Sequence, residues 1–311
     1  MAKIADLLTD ARRDRDRLGA APRLRSRVLA RGDDWFVEDV LCTFGPSDPA
    51  FEERHSAYRI ALVGAGTFAC RSANGRELMT PGSLLLGNPG QCFECGHEHG
   101  SGDRCLAFAF AAEHFDRLMA DAGARGRARL RALRVPPVRR LAPLVAEACS
   151  AWTVRDEHFG GGLWEDLALR VAMATVRLAA EPTATPRAPR NAERRVVLAV
   201  RRIDRDPGAP LALAELAREA SLSPYHFLRT FARVTGVTPH QYTLRARLRQ
   251  AAVRLIADDA RILDAALDAG FADVSNFNRA FRAEFGAAPR EHRERFRRGA
   301  RRRPVSDTKG V

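Results

Sequence analysis

Three residues with metal-binding side chains alternate in the stretch CFECGHEHGSGDRC, which runs from Cys92 to Cys105. Cys95, His97 and His99 are separated by one residue each, so on a β-strand their side chains would point to the same face. Two imidazoles and a thiolate suit Zn²⁺ or another soft transition metal. We therefore predict a metal site at Cys95, His97 and His99, with Cys92 and Cys105 as alternative ligands or as a redox pair.

A purely structural interpretation of this stretch competes with the metal site. The segment HEHGSGDR has the composition of a polar turn, and cysteine is often a small buried apolar residue. Glu53 and His55 in FEERHS are candidates to complete a metal site. A metal enzyme would also need an open coordination position beside an acid or a base, and the sequence offers no clear residue for that role.

A second pattern with chemical potential occurs twice. The segments FLRTFARVTGVTPHQY (residues 227–242) and FNRAFRAEFGAAPREH (residues 277–292) each begin with Phe. In both, Arg follows after two residues, Phe after four, Gly after nine and Pro after twelve. Two copies at this spacing indicate a duplicated structural unit.

The repeat places polar side chains on one face of a helix. When Phe227 is set to face the core of a helix with 100° per residue, Phe231 follows it and the arginines turn outward. Arginine pairs with guanine and asparagine with adenine in the major groove of DNA. The residues that we predict to contact DNA are Tyr225, His226, Arg229 and Arg233 in the first copy and Ser275, Asn276, Asn278, Arg279 and Arg282 in the second.

The segments around each copy predict a helix-turn-helix. In the first, a helix over about Leu213 to Ala220 precedes Ser223, a good N-cap, and Gly236 ends the second helix. In the second, Gly270 takes the left-handed turn. A single helix from about Pro239 to Ile256 joins the two units, which would enter successive major grooves about 34 Å apart.

Charge supports a polyanionic partner. Residues 191–311 carry 24 Lys and Arg against 14 Asp and Glu, which is +10 of the total charge of +13. Such a concentrated positive field favours binding to nucleic acid or to an anionic membrane, and the paired helix-turn-helix units favour double-stranded DNA. No apolar run is long enough to span a bilayer, the N-terminus lacks a signal-peptide core, and the six cysteines are irregularly spaced. We therefore expect a cytoplasmic protein without a membrane partner.

Pattern changes along the 311 residues predict an α+β multidomain chain. Residues 1–112 form a β domain with a leading helix, either a closed barrel or a sandwich. Residues 113–181 are helical, and the Pro-rich segment 182–193 is a linker. Residues 194–298 form an all-α domain of two helix-turn-helix units, and residues 299–311 form a basic disordered tail.

One helical stripe has two interpretations. Leu167, Val171, Ala174 and Leu178 recur on one side of the second helix in the segment 113–181. They either pack against the β domain or form the seam of a homodimer, and the sequence favours neither.

The residues of the second unit resemble the AraC/XylS family of bacterial transcription regulators. The family pattern of Ala, Gly-Phe, Ser, Phe, Arg-x-Phe, Gly and Pro is matched by Ala266, Gly270, Phe271, Ser275, Phe277, Arg279, Phe281, Gly286 and Pro289. The match covers about residues 194–298, and His292 stands where the family usually has Tyr. The resemblance implies promoter regulation, contact with RNA polymerase, and an N-terminal cupin-like barrel for effector binding or dimerisation.

The sequence thus predicts a DNA-binding transcription regulator, an activator or a repressor, whose N-terminal domain senses a small-molecule or metal effector or dimerises. We do not expect an enzyme. The alternatives are a metal-dependent cupin enzyme or a redox or metal sensor with DNA binding attached, and an architectural DNA-binding protein. The architectural alternative does not explain a separate β domain and linker.

Overall fold

The computed structural model describes residues 2–100, 102–121, 129–153, 161–179 and 190–301. Most of the predicted linker and most of the predicted basic tail lie outside these residues.

Short strands build the N-terminal part, in agreement with the β domain that the sequence predicts there. The strands are β1 (Leu24–Arg31), β2 (Trp35–Cys42), β3 (Phe51–Arg54), β4 (Tyr58–Gly66), β5 (Phe68–Ser72), β6 (Gly75–Met79), β7 (Leu84–Gly87), β8 (Cys92–Gly96), β9 (Asp103–Phe110) and β10 (Arg134–Val135).

The strands form two antiparallel sheets. The larger sheet has the order β1-β2-β9-β4-β7-β10, and the smaller has the order β3-β8-β5-β6. Every residue of β9 is buried, so this strand lies at the centre of the domain. The register places Cys42 at the end of β2 directly opposite Asp103 at the start of β9.

Helices precede and follow the strands. They are α1 (Ala2–Leu18), α2 (Ala112–Asp121), α3 (Ala142–Thr153), α4 (Gly161–Ala179), α5 (Arg190–Arg205), α6 (Leu213–Glu219), α7 (Pro224–Thr235), α8 (Pro239–Ala257), α9 (Ile262–Asp268), α10 (Val274–Phe285) and α11 (Pro289–Arg301). None of them, within the residues described, is long and apolar enough to cross a bilayer.

Three elements of the structure depart from the predicted division of the chain. The segment 113–181 also contains β10, which pairs with β7, because a two-residue strand leaves no periodic signal in the sequence. Helix α5 begins at Arg190, inside the predicted linker 182–193. Helix α11 continues to Arg301, three residues beyond the predicted end of the last domain.

The stripe on α4 packs within the chain. Leu167 is fully buried and Val171 is 5% exposed, and both belong to the same core as Phe108 of β9. The structure therefore favours packing against the β domain over a dimer seam for these two residues.

Helix α8 takes part in three separate cores. Val253 packs in the core of the N-terminal domain, Tyr242 and Ala246 pack with the first helix-turn-helix, and Leu248 and Leu255 pack with the second. Its N-terminus is fixed by a capping box between Thr238 and Gln241. One helix thus links both helix-turn-helix units to the β domain.

Candidate DNA interface and metal-ligand cluster

The first helix-turn-helix is formed by α6 and α7. Ser223 caps α7 by accepting a hydrogen bond from the backbone N–H of His226, and Phe227 and Phe231 are fully buried beneath the helix. Gly236 ends α7 with a φ of 82°, in the left-handed region that favours glycine. The buried Ala217 is on the crossing side of α6, where a small side chain permits close approach.

The second unit repeats this construction with α9 and α10. Asp273 replaces serine as the N-cap and accepts a hydrogen bond from the backbone N–H of Asn276 at 2.7 Å. Phe277 and Phe281 are fully buried. Gly270 has the predicted left-handed φ, 77°, and a Cβ there would lie 2.3 Å from the carbonyl oxygen of Gly208.

All nine residues that the sequence assigns to DNA contact are exposed at the surface of the two second helices or their first turns. These residues are Tyr225, His226, Arg229, Arg233, Ser275, Asn276, Asn278, Arg279 and Arg282. Their roles in DNA contact remain a prediction.

The two central arginines are held in comparable ways. The guanidinium of Arg229 lies over the ring of Tyr225, 5.7 Å from its centroid. Arg279 donates a hydrogen bond to Oδ1 of Asn276 at 3.2 Å. Each arginine therefore contacts a neighbour about one turn earlier on its own helix, and both guanidinium groups stay on the outer face.

The segment that begins with β10 contacts the ends of both recognition helices, α7 and α10. Arg134 donates hydrogen bonds to the carbonyl oxygens of Val234 (2.9 Å) and Leu78 (3.2 Å). Arg139 donates one to the carbonyl oxygen of Ala283 in α10. We call residues 134–139 the strap. Sequence reasoning missed it, because its contacts join residues that are between 56 and 144 positions apart in the chain.

The predicted metal set of Cys95, His97 and His99 does not converge, which corrects the prediction from the sequence. Strand β8 ends at Gly96, so the alternation does not continue through His97 and His99. Cys95 instead pairs with Cys70 across the sheet. His99 is half-buried, and its carbonyl oxygen accepts a hydrogen bond from Arg201.

The two alternative cysteines have different environments. Cys92 is exposed, and its sulfur accepts a hydrogen bond from Arg54 at 3.2 Å. Cys105 is buried with its sulfur 3.1 Å from Oδ2 of Asp103.

His97 belongs to a different group of potential ligands, with Cys42 and Asp103. The Nε2 atom of His97 lies 2.8 Å from Oδ1 of Asp103 and 3.6 Å from Sγ of Cys42, and all three ligand atoms lie within 4.8 Å of one another. Among the residues described, this is the one group of three such side chains found close enough to share an ion. Sequence reasoning missed Cys42 and Asp103, because only the β2–β9 register brings Cys42 to this point.

A cavity of about 60 Å³ lies beside this group. Cys42 and Asp103 line it together with Glu53, His55, Phe51 and Phe93. Burial raises the pKa of Glu53 and lowers the pKa of His55 to about 4. Burial therefore favours the uncharged forms of both side chains, which line the cavity. Burial and the nearby Asp103 also raise the pKa of the Cys42 thiol. The cavity has room for a few water molecules or a small ligand.

Comparisons with known proteins match the N-terminal and the C-terminal parts of the chain to different domain families. Residues 44–162 match the model of the AraC-like ligand binding domain, and residues 216–295 match a helix-turn-helix domain. The regulatory protein SoxS of Salmonella typhimurium is 34% identical over 94 residues, 30% of this chain and 88% of that protein. The RCS-specific HTH-type transcriptional activator RclR of Escherichia coli is 35% identical over 91 residues, 29% of this chain and 32% of that protein.

A crystal structure of the DNA-binding domain of the global transcriptional factor AdpA, in complex with a target DNA, aligns at 27% identity. It covers 34% of this chain and 95% of that chain, with a TM-score of 0.33. The sequence matches coincide with the parts described above, a β domain followed by two linked helix-turn-helix units. The chain therefore belongs to the AraC/XylS family and is a DNA-binding transcriptional regulator with an N-terminal ligand-binding domain.

Proposed function

We propose that α7 and α10 read one face of B-DNA in two successive major grooves. The observation that supports this most strongly is the exposure of all nine predicted contact residues on two equivalent helices. Helix α8 has 19 residues, so it is about 28 Å long and can hold the two units apart without a flexible joint. Major grooves on one face of DNA repeat every 34 Å or so.

The affinity and the sequence preference have different sources in this proposal. Exposed arginines contribute salt-dependent affinity through phosphate contacts, which all DNA sequences share. Arg229, Arg279, Asn276 and Asn278 supply the choice of base through hydrogen bonds to base edges.

Regulation belongs to the N-terminal domain in the same proposal. An effector in the cavity beside Glu53 would contact β7 through Leu85, which lines the cavity and pairs with Arg134 of β10. Arg134 in turn bonds to the carbonyl oxygen of Val234 near the end of α7. An effector that shifts β7 therefore has a short physical path to the first recognition helix.

Further parts of the proposal concern partners. We propose that a homodimer binds paired half-sites, that DNA-bound protein contacts RNA polymerase, and that the protein acts in the cytoplasm, where bacterial promoters lie. We also propose that the chain regulates transcription without catalysing a reaction. The family membership supports these statements.

Selection of DNA tests the main proposal. The purified protein is mixed with sheared genomic DNA, the retained fragments are sequenced, and contacted guanines are mapped by methylation interference. We expect an enriched motif with two contacted segments about one helical turn apart. Retention of all fragments in equal amounts would support an architectural protein instead, and contacts confined to one groove would mean that a single unit reads DNA.

A further inference from the structure

The side chains of Cys42, His97 and Asp103 come together from both sheets of the N-terminal domain. Cys42 ends β2 and Asp103 begins β9 in the larger sheet, and the register places them opposite each other. His97 follows directly after β8 of the smaller sheet. A group bound by all three would therefore tie the two sheets together at one end of the domain.

The distances within this cluster suit a tetrahedral ion. With Zn–S near 2.3 Å and Zn–N near 2.1 Å, tetrahedral sulfur and nitrogen ligands lie about 3.6 Å apart. The observed separation of Cys42 Sγ and His97 Nε2 is 3.6 Å. Nitrogen and oxygen ligands lie about 3.3 Å apart on the same basis, so the 2.8 Å between His97 and Asp103 has to widen by about half an ångström.

Burial and orientation hold the cluster in place. The exposed fractions are 1% for Cys42, 3% for His97 and 6% for Asp103. The imidazole of His97 packs against the rings of Phe44 and Phe68, whose centroids are 6.3 and 5.9 Å from its own. Its Nδ1 atom is buried and makes no hydrogen bond with the residues described. The ring is therefore oriented by these aromatic contacts and by what Nε2 binds.

Charge also favours a divalent cation. A thiolate and a carboxylate carry two negative charges, and burying them without a counter-charge is costly. A divalent ion neutralises both and displaces the thiol proton when it binds. A thiolate, an imidazole and a carboxylate together are the donor set of Zn²⁺ and similar borderline ions rather than of Mg²⁺ or Ca²⁺.

We propose that Cys42, His97 and Asp103 form a site for a divalent transition-metal ion, with Zn²⁺ the best fit. Three protein ligands leave one position of a tetrahedral ion open. Cys42 and Asp103 also line the cavity of about 60 Å³, so a water molecule or a small ligand in the cavity can take that position. This proposal does not depend on how the protein reads DNA, and a measurement of metal binding is sufficient to test it.

Metal titration of the full-length protein tests the site. The protein is stripped with chelator and reductant, returned to chelator-free buffer, and titrated with Zn²⁺ in competition with a chromophoric chelator. We expect about one ion per chain in the wild type. We also expect a loss of affinity greater than about 100-fold in Cys42→Ala, His97→Gln and Asp103→Asn, because removal of a residue that only hydrogen-bonds to a metal ligand already costs about 10- to 100-fold.

Two controls are matched to these variants. Cys149→Ala removes a buried thiol from α3, and His99→Gln removes the neighbouring imidazole that lies outside the cluster. Both should bind Zn²⁺ as the wild type does. Circular dichroism and thermal unfolding of every variant separate a lost ligand from a lost fold.

Cobalt substitution reports directly on whether a thiolate binds the metal in the wild-type protein. Co²⁺ bound to the wild-type protein should show thiolate-to-metal charge-transfer absorption, which Cys149→Ala keeps and Cys42→Ala loses. Absence of Zn²⁺ binding in the wild type would overturn the proposal and leave His97 and Asp103 as a hydrogen-bonded pair without a metal. Loss of binding in His99→Gln, with Cys42→Ala unaffected, would overturn it in favour of the ligand set predicted from the alternation.

Discussion

At the scale of single residues, Arg229 and Arg279 occupy the same position in two copies of one pattern. Each is exposed, and each contacts its own helix about one turn earlier, through Tyr225 in the first unit and Asn276 in the second. In the proposed complex, these contacts would orient the guanidinium groups before DNA binds, which lowers the cost of ordering them on binding.

Replacement of either arginine should weaken specific binding. We expect Arg229→Ala and Arg279→Ala each to cost about 1–3 kcal/mol on the selected site and to relax the preference at one base position. Fluorescence anisotropy with the selected site and with single-base variants measures both effects. Arg177→Ala, which removes an exposed arginine from α4, is the charge-matched control. An equal loss on every DNA sequence would identify the arginine as a phosphate contact.

His292 should make stability depend on pH. It packs against the rings of Phe281 and Phe285, and burial, followed by the charge of Arg295, lowers its pKa from 6.5 to about 4. The unfolded chain therefore binds a proton first as the pH falls, so the stabilisation is complete above 6.5 and is lost between 6.5 and about 4. The gap in pKa corresponds to roughly 3 kcal/mol at most.

The variant His292→Phe measures this contribution. The midpoint of thermal unfolding should fall less between neutral pH and about pH 5 in His292→Phe than in the wild type. His55, whose pKa is also lowered to about 4, remains in both proteins and provides the common background. Identical pH profiles would show that His292 is not held neutral.

The sequence predicted which side chains of α7 and α10 are exposed but missed two of the three residues in the cluster of Cys42, His97 and Asp103, and the reason is physical. The outward face of a helix follows from local spacing, so Arg229 and Arg279 could be placed from a wheel drawn on the buried phenylalanines. Cys42 and Asp103 meet through the register of two strands that are about 60 residues apart in the chain. Only His97 was identified, because it happened to lie in a local pattern as well.

At the scale of elements, the two recognition helices end alike but in different surroundings. Gly236 and Gly286 both have left-handed φ angles, 82° and 73°. A Cβ at Gly236 would lie 2.5 Å from Cβ of Pro136 in the strap, whereas a Cβ at Gly286 would meet no atom within 4 Å. The first recognition helix is thus packed against the strap at this point, and the second is open.

These two glycines form a matched pair for mutation. Gly286→Ala should cost about 1–2 kcal/mol, the price of a left-handed alanine. Gly236→Ala should cost more, because it adds a steric clash with Pro136. Thermal unfolding of the full-length variants compares the two. Equal losses would mean that the strap moves away from α7 without cost.

The elements also differ in how well the sequence predicted them. The predicted C-terminal end of helix α8 differs from the observed one by a single residue. Thr238 and Pro239 indicate where the helix begins, and the spacing of its apolar residues indicates how far it continues. The sequence did not predict strand β10, because two residues are too few to show a periodic pattern. Its pairing partner in β7 also lies 49 positions earlier in the chain.

At the scale of the whole molecule, the strap joins the ligand-binding domain to both DNA-binding units. Arg134 bonds to the end of α7, Arg139 bonds to the end of α10, and Arg245 of α8 donates a hydrogen bond to the carbonyl oxygen of Pro137 at 3.0 Å. These contacts fix the positions of the two recognition helices relative to each other and to β10.

Removal of one contact of the strap should weaken binding to DNA that has both contacted segments, but not to DNA that has only one. We expect Arg139→Ala to lower the affinity for DNA with both contacted segments severalfold, because the two units are then less well arranged before binding. The affinity for DNA with only one segment should not change. Anisotropy titrations of both DNAs check this, with Arg131→Ala, another exposed arginine before the strap, as the control. Tighter binding by Arg139→Ala would show that the strap restrains the units in an inhibitory arrangement.

Helix α8 has a consequence for how such a regulator can evolve. Three residues of this helix belong to three different cores: Val253, Tyr242 and Leu255. Substitutions in α8 therefore affect the packing of the ligand-binding domain as well as that of the two helix-turn-helix units. Mutations that tune the response to a new signal through this helix will also shift promoter preference. The two traits can diverge independently only through residues outside it, such as those of the cavity wall and the outer faces of α7 and α10.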